Sequence, residues 1–268
     1  MGIVEEPSFD FITLGLLIFS VPVGYWFVVT ERSSLRQKRH LDTAITPVMA
    51  LVLCALMLVL GGIGTWWGAG RVSFDPIEKS AWMYASFMTA QVPILLAYAY
   101  LQHRYRSKHV AGTAILTFVV FVPMTLAVAG VAHQIFIALG WEPASAVGHE
   151  TLTELLAQPL WKIPVWVVIV CVTLGAGIVE EVMFRGLLLP FVATVLGGKT
   201  AWPAIYITSV LFALMHIGPA QPSAILGLFV LSIGLCWARV KTGGILAPIA
   251  IHILFNAMNI AIAYSTEL

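Results

Sequence analysis

Apolar runs recur along the chain at about 10–30, 44–67, 81–101, 111–132, 163–185, 200–217, 222–240 and 244–264, with polar stretches between them. Crossing a bilayer takes about 20 apolar residues in a helix. Only helices and closed barrels satisfy their backbone in lipid, and no run shows the ten-residue alternation of a barrel strand. The pattern predicts an all-α fold, a polytopic membrane helix bundle of about eight transmembrane helices forming one domain over 1–268. A more polar segment at 133–162, HQIFIALGWEPASAVGHETLTELLAQPLWK, interrupts the series. Within it, 150–160 reads as an amphipathic helix with Thr151 near its start, lying over the bundle surface.

Composition points the same way. Hydrophobic residues make up 60% of the 268 and charged residues 10%, against roughly a quarter charged in soluble domains, and the mean hydropathy is +0.94. A net charge of +1 gives no electrostatic footprint for nucleic acid. The start, MGIVEEPSFDF, is acidic where a signal peptide would be basic, so the first apolar run is expected to persist as a span. Cys54, Cys171 and Cys236 fall in separate apolar runs without a CxxC and read as small buried hydrophobes.

Basic residues are ordered along the chain. Arg32, Arg36, Lys38 and Arg39 follow the first span, Arg104, Arg106 and Lys108 the third, Lys199 the fifth, and Arg239 and Lys241 the seventh; the other connections hold only Arg71, Lys79 and Lys162. By the positive-inside rule the first set of loops is cytoplasmic and both termini lie outside. The turn at 197–200 is then cytoplasmic, with Glu180 about 24 Å away along its helix.

Ionisable side chains are nearly absent from the first four spans and gather in the last four. Residues 1–160 therefore read as scaffold and 163–264 as the core of the site. The stretch GIVEEVMFRG places Glu180, Glu181 and Arg185 within six residues of an apolar run, where ionisable groups mark function by default. Glu181 and Arg185, four apart, share a helix face and can pair; Glu180 is turned about 100° away, toward a cavity. His252 and Asn256 are also four apart on the last helix. His216 follows Phe212 by one turn, and counting from the 197–200 turn puts it level with Glu180. His133 and His149 read as loop residues. Two other readings of the same groups are a proton-coupled transporter, and a non-catalytic immunity or binding membrane protein.

The stretches EEVMFR, FALMH and HILFN resemble, in order, the EExxxR, FxxxH and HxxxN motifs of the CPBP intramembrane proteases, the family of the CAAX-prenyl endopeptidases and of bacteriocin-processing and immunity proteins. The resemblance covers about 163–264. It implies an intramembrane endopeptidase acting on a peptide or protein substrate in or at the membrane, either prenylated (CAAX-type) or a leader peptide, in the cell membrane of a prokaryote. Position by position, it implies that Glu180 and His216 activate water and that His252 and Asn256 form an oxyanion site. Glu181, Arg185 and Phe212 support the site or bind substrate. A metal-free mechanism is the preferred expectation. Zinc held by Glu180, His216 and His252 is the alternative, as a His2Glu set with an open position. CAAX processing is cytosolic, in tension with the 24 Å depth.

Overall fold

A computed structural model describes residues 11–31, 41, 43–71, 75–103, 107–141, 150–197 and 200–266. Arg32, Arg36, Lys38, Arg39, Arg104, Arg106, Lys199 and His149 lie outside the described residues. Among those described there are nine helices and no strand: α1 (Phe11–Glu31), α2 (Pro47–Ala69), α3 (Pro76–Gln102), α4 (Val110–Ala138), α5 (Glu150–Leu156), α6 (Ile163–Leu196), α7 (Trp202–Leu214), α8 (Pro222–Thr242) and α9 (Leu246–Thr266). Local chemistry sets many of the boundaries. Thr46 and Asp75 cap α2 and α3 by accepting from the Met49 and Ile77 amides, each with proline next in line, where a missing N–H costs nothing. Gly197 and Gly243 end α6 and α8 at φ +66° and +72°, a left-handed conformation that glycine takes without strain.

Every predicted span holds a helix, and α5 falls where the amphipathic segment is predicted. Five helices, α2, α4, α6, α8 and α9, are long and apolar enough to cross a bilayer, so the chain is an integral membrane protein. The run expected at 200–217 is shorter than predicted: α7 has 13 residues, about 20 Å of rise, and His216 lies just beyond its end.

Contacts between connecting segments sort the helix ends onto two faces. On one, Gln102 at the end of α3 hydrogen-bonds Thr43 before α2, and Lys108 before α4 donates its amide to Thr242 at the end of α8, 2.9 Å. Thr43 and Thr194 of α6 also line one small cavity there. On the other, Lys162 bridges to Asp75 at 2.7 Å, Glu150 donates its amide to Pro219 at 3.0 Å, and Tyr264 donates to the Leu155 carbonyl at 2.9 Å. The second through eighth predicted spans thus alternate in direction, the short α7 included. The expectation for Arg239 is corrected: it is not in a loop, because α8 runs on to Thr242, and it is 2% exposed inside the bundle.

Candidate active site

Helix α6 departs from α-geometry twice. Two π-helical segments, Cys171–Gly175 and Val182–Leu188, flank the α-helical Ala176–Glu181 that carries both glutamates. A π turn bonds i to i+5, and such turns concentrate at functional sites. Each segment presents a carbonyl to another helix. Asn256 of α9 donates through Nδ2 to Val172 at 2.8 Å, and Arg239 of α8 donates through Nε to Arg185 at 3.2 Å. The Ala176–Glu181 segment is therefore gripped from both ends. Close approach completes the fit. A Cβ on Gly177 would stand 2.7 Å from Ile253 of α9, and one on Gly186 2.7 Å from the Tyr98 ring of α3.

Glu181 and Arg185 pair as their spacing predicts, Nη1 to Oε1 at 2.8 Å, both side chains fully buried. Arg185 also donates through Nη2 to the Ser232 hydroxyl at 2.6 Å and to its carbonyl at 3.3 Å, and its guanidinium lies 4.5 Å from the centre of the Phe212 ring. Arg185 is thus fully buried, with Nη1 committed to Glu181 and Nη2 to Ser232.

The same Oε1 of Glu181 lies 2.8 Å from Nδ1 of His252, a link absent from the sequence reading. A carboxylate paired with Arg185 can only accept, so Nδ1 of His252 carries a proton. Nδ1 of His216 lies 2.8 Å from the Phe212 carbonyl, which also can only accept. In each ring it is therefore Nε2 that is left for other partners, as a lone pair when the ring is neutral and as a donor when it is protonated.

Both Nε2 atoms lie near one atom. Oε2 of Glu180 is 3.9 Å from Nε2 of His216 and 3.9 Å from Nε2 of His252. That oxygen is buried and, among the described residues, has no hydrogen-bond partner. The side chains of Glu180 and His216 are 27% and 18% exposed, that of His252 only 4%. Phe212, fully buried, forms the floor, with ring centroids 4.8 Å from His216 and 6.0 Å from His252. Side chains from α6, α9 and the segment after α7 thus converge. His252 is six residues into α9, about 9 Å of rise from the turn after α8. That turn lies on the same face as the end of α6 at Leu196.

A separation of 3.9 Å is too long for a direct hydrogen bond but lets one small molecule bridge. Zinc–ligand bonds of about 2.0–2.1 Å would put tetrahedral ligands roughly 3.4 Å apart. Among the described residues no group of three or more His, Cys, Asp and Glu side chains forms a set that could hold a metal ion.

Two residues that hold this cluster together are absent from the sequence reading of the site. Ser232 and Arg239 are seven apart on α8 and so share a face, a polar stripe on an apolar helix; the sequence reading placed Arg239 in a loop and did not single out Ser232. Residues 161–258 match the family described as Type II CAAX prenyl endopeptidase Rce1-like. That is a family of peptidases, and the match spans α6, α7, α8 and the first part of α9, with all three motifs inside it. No curated protein and no solved structure matched the chain.

Proposed function

We propose that the chain is an intramembrane endopeptidase that hydrolyses a peptide bond of a membrane-associated substrate, of the prenylated CAAX or leader-peptide kind, using water held between Glu180, His216 and His252. The observation that carries this reading is the buried, unpartnered Oε2 of Glu180 facing two imidazole nitrogens. A carboxylate so enclosed is suited to take a proton from water as the water oxygen attacks the amide carbon. His216, fixed by the Phe212 carbonyl, accepts a hydrogen bond from the second water hydrogen, which stays on the attacking oxygen. His252 can carry a proton on Nε2 because Glu181 accepts from its Nδ1, the role a carboxylate plays behind a catalytic histidine. Its Nε2–H then donates to the developing oxyanion. Glu180 returns its proton to the departing amide nitrogen. Asn256 commits one Nδ2–H to Val172, and its other N–H is the second oxyanion donor.

A second reading rests on the chemistry of the donors, although their present spacing does not form a metal-holding set. Two Nε2 lone pairs and a carboxylate oxygen are zinc donors, and small movements would draw Glu180, His216 and His252 into a three-ligand set; the metal would then polarise the water. The readings differ in one requirement, since zinc needs both rings unprotonated at Nε2. A transporter is less well supported. Among the described residues the buried ionisable side chains Glu181, Arg185, Arg239 and His252 belong to one connected cluster, not to a relay across several levels. The test uses purified chain in vesicles carrying membrane-anchored peptides, read by mass spectrometry for new termini. Wild type cleaves and Glu180→Gln does not; cleavage lost on chelation and restored by stoichiometric zinc selects the second reading, and equal cleavage by both proteins rejects the proposal.

A further inference from the structure

We propose that Arg71, beyond the end of α2, binds the phosphate of an anionic phospholipid in the leaflet on the α5 side of the protein. Its guanidinium carbon lies 3.7 Å from the centre of the Trp67 ring and 5.5 Å from that of Trp82, and the two indoles meet edge to face at 6.5 Å. Stacking holds a guanidinium by its face and leaves its edge of N–H donors open, the geometry that matches phosphate oxygens.

Three observations select a lipid as the occupant. Among the described residues no carboxylate pairs with Arg71, since the Asp75 carboxylate is taken by Lys162. Arg71, Gly70, Ala69, Trp67 and Trp66 line a cleft of about 510 Å³, and Trp66 is 76% exposed, an apolar wall where an acyl chain would lie. The apolar helix α2 ends at Ala69, so Arg71 sits at headgroup level, on the face where exposed Trp141, Trp161 and Trp166 continue an interfacial belt. Free phosphate would use the cation but gain nothing from the indole wall.

The test reads lipid retained by full-length protein in native mass spectrometry, after purification from zwitterionic membranes doped with phosphatidylglycerol. The wild type is expected to hold phosphatidylglycerol, and Arg71→Gln to hold roughly fivefold less. Trp67→Leu is expected to fall between them, with circular dichroism checking that both variants are folded. Equal retention by wild type and a folded Arg71→Gln, or displacement of the lipid by millimolar inorganic phosphate, would overturn the assignment.

Discussion

His252 and Glu181, 71 residues apart in sequence, share a 2.8 Å hydrogen bond in the interior of the bundle. The bond joins two motifs that the sequence presents as separate, and it runs on through Arg185 to Ser232 of α8. Its effect is to fix which nitrogen of His252 faces Glu180. Glu181→Gln preserves the shape but offers Nδ1 a weaker, neutral acceptor. Turnover should fall by about 10²- to 10⁴-fold, with a much smaller change in KM, as steady-state kinetics on a reporter peptide would show.

Arg185 should matter more for folding than for substrate recognition. Removing one partner of a buried ion pair costs about 3–5 kcal/mol, because the other charge is left uncompensated. Arg185→Met is expected to lose stability on that scale in detergent unfolding measurements. Arg185→Lys should restore little of it, since a single ammonium cannot reproduce the guanidinium's simultaneous hold on Glu181 and Ser232. A variant as stable as the wild type would show that the pair is dispensable.

Asn256 is bound to a carbonyl within the π-helical segment Cys171–Gly175 of α6. Asn256→Leu should leave the Val172 carbonyl unpaired, at a cost of about 1–3 kcal/mol, and should reduce turnover as well. The two effects separate in Asn256→Ser: a hydroxyl too short to reach Val172 lowers stability, and its remaining activity measures how far the oxyanion role depends on the amide. Unfolding and kinetic measurements on the same preparations check both.

The existence and order of the helices were legible because membrane spans are written as long apolar runs, although the run read as 163–185 continues as α6 for another 11 residues to Leu196. The run at 200–217 misled because Met215 and Ile217 are as apolar as the helix they follow, although the chain has already turned at Leu214. The Glu181–Arg185 pair was legible from i, i+4 spacing alone. The Glu181–His252 bond was not, since nothing local to either residue encodes a contact between α6 and α9. The π segments were equally silent, because no local pattern in the apolar run marks them and their partners Asn256 and Arg239 come from other helices. Arg239 misled for a physical reason as well: a basic residue near the end of a span usually reaches water, and this one turns inward to a freed carbonyl.

Outside the membrane-spanning segments, the hydrogen bond from Lys162 holds the Asp75 carboxyl below its ordinary pKa; desolvation opposes it, and the Ile77 amide and the Lys162 charge add smaller contributions in the same direction as the hydrogen bond. A depressed carboxylate contributes stability that is fully present above its unfolded pKa of about 3.9 and is lost as pH falls through the lower folded value. Protection of the Ile77 amide, measured against the intrinsic exchange rate at each pH, should accordingly hold at pH 5 and fall once the pH drops well below 4. In Asp75→Asn it should show no such acid step.

The most direct test compares peptides from membranes of cells making wild-type protein with those from cells making Glu180→Gln at equal abundance, by mass spectrometry. If Glu180 primes water for attack on an amide, a set of new peptide termini appears with the wild type and is missing with the variant. Identical termini in both samples, with the wild-type protein folded and in the membrane, would contradict hydrolysis at this site.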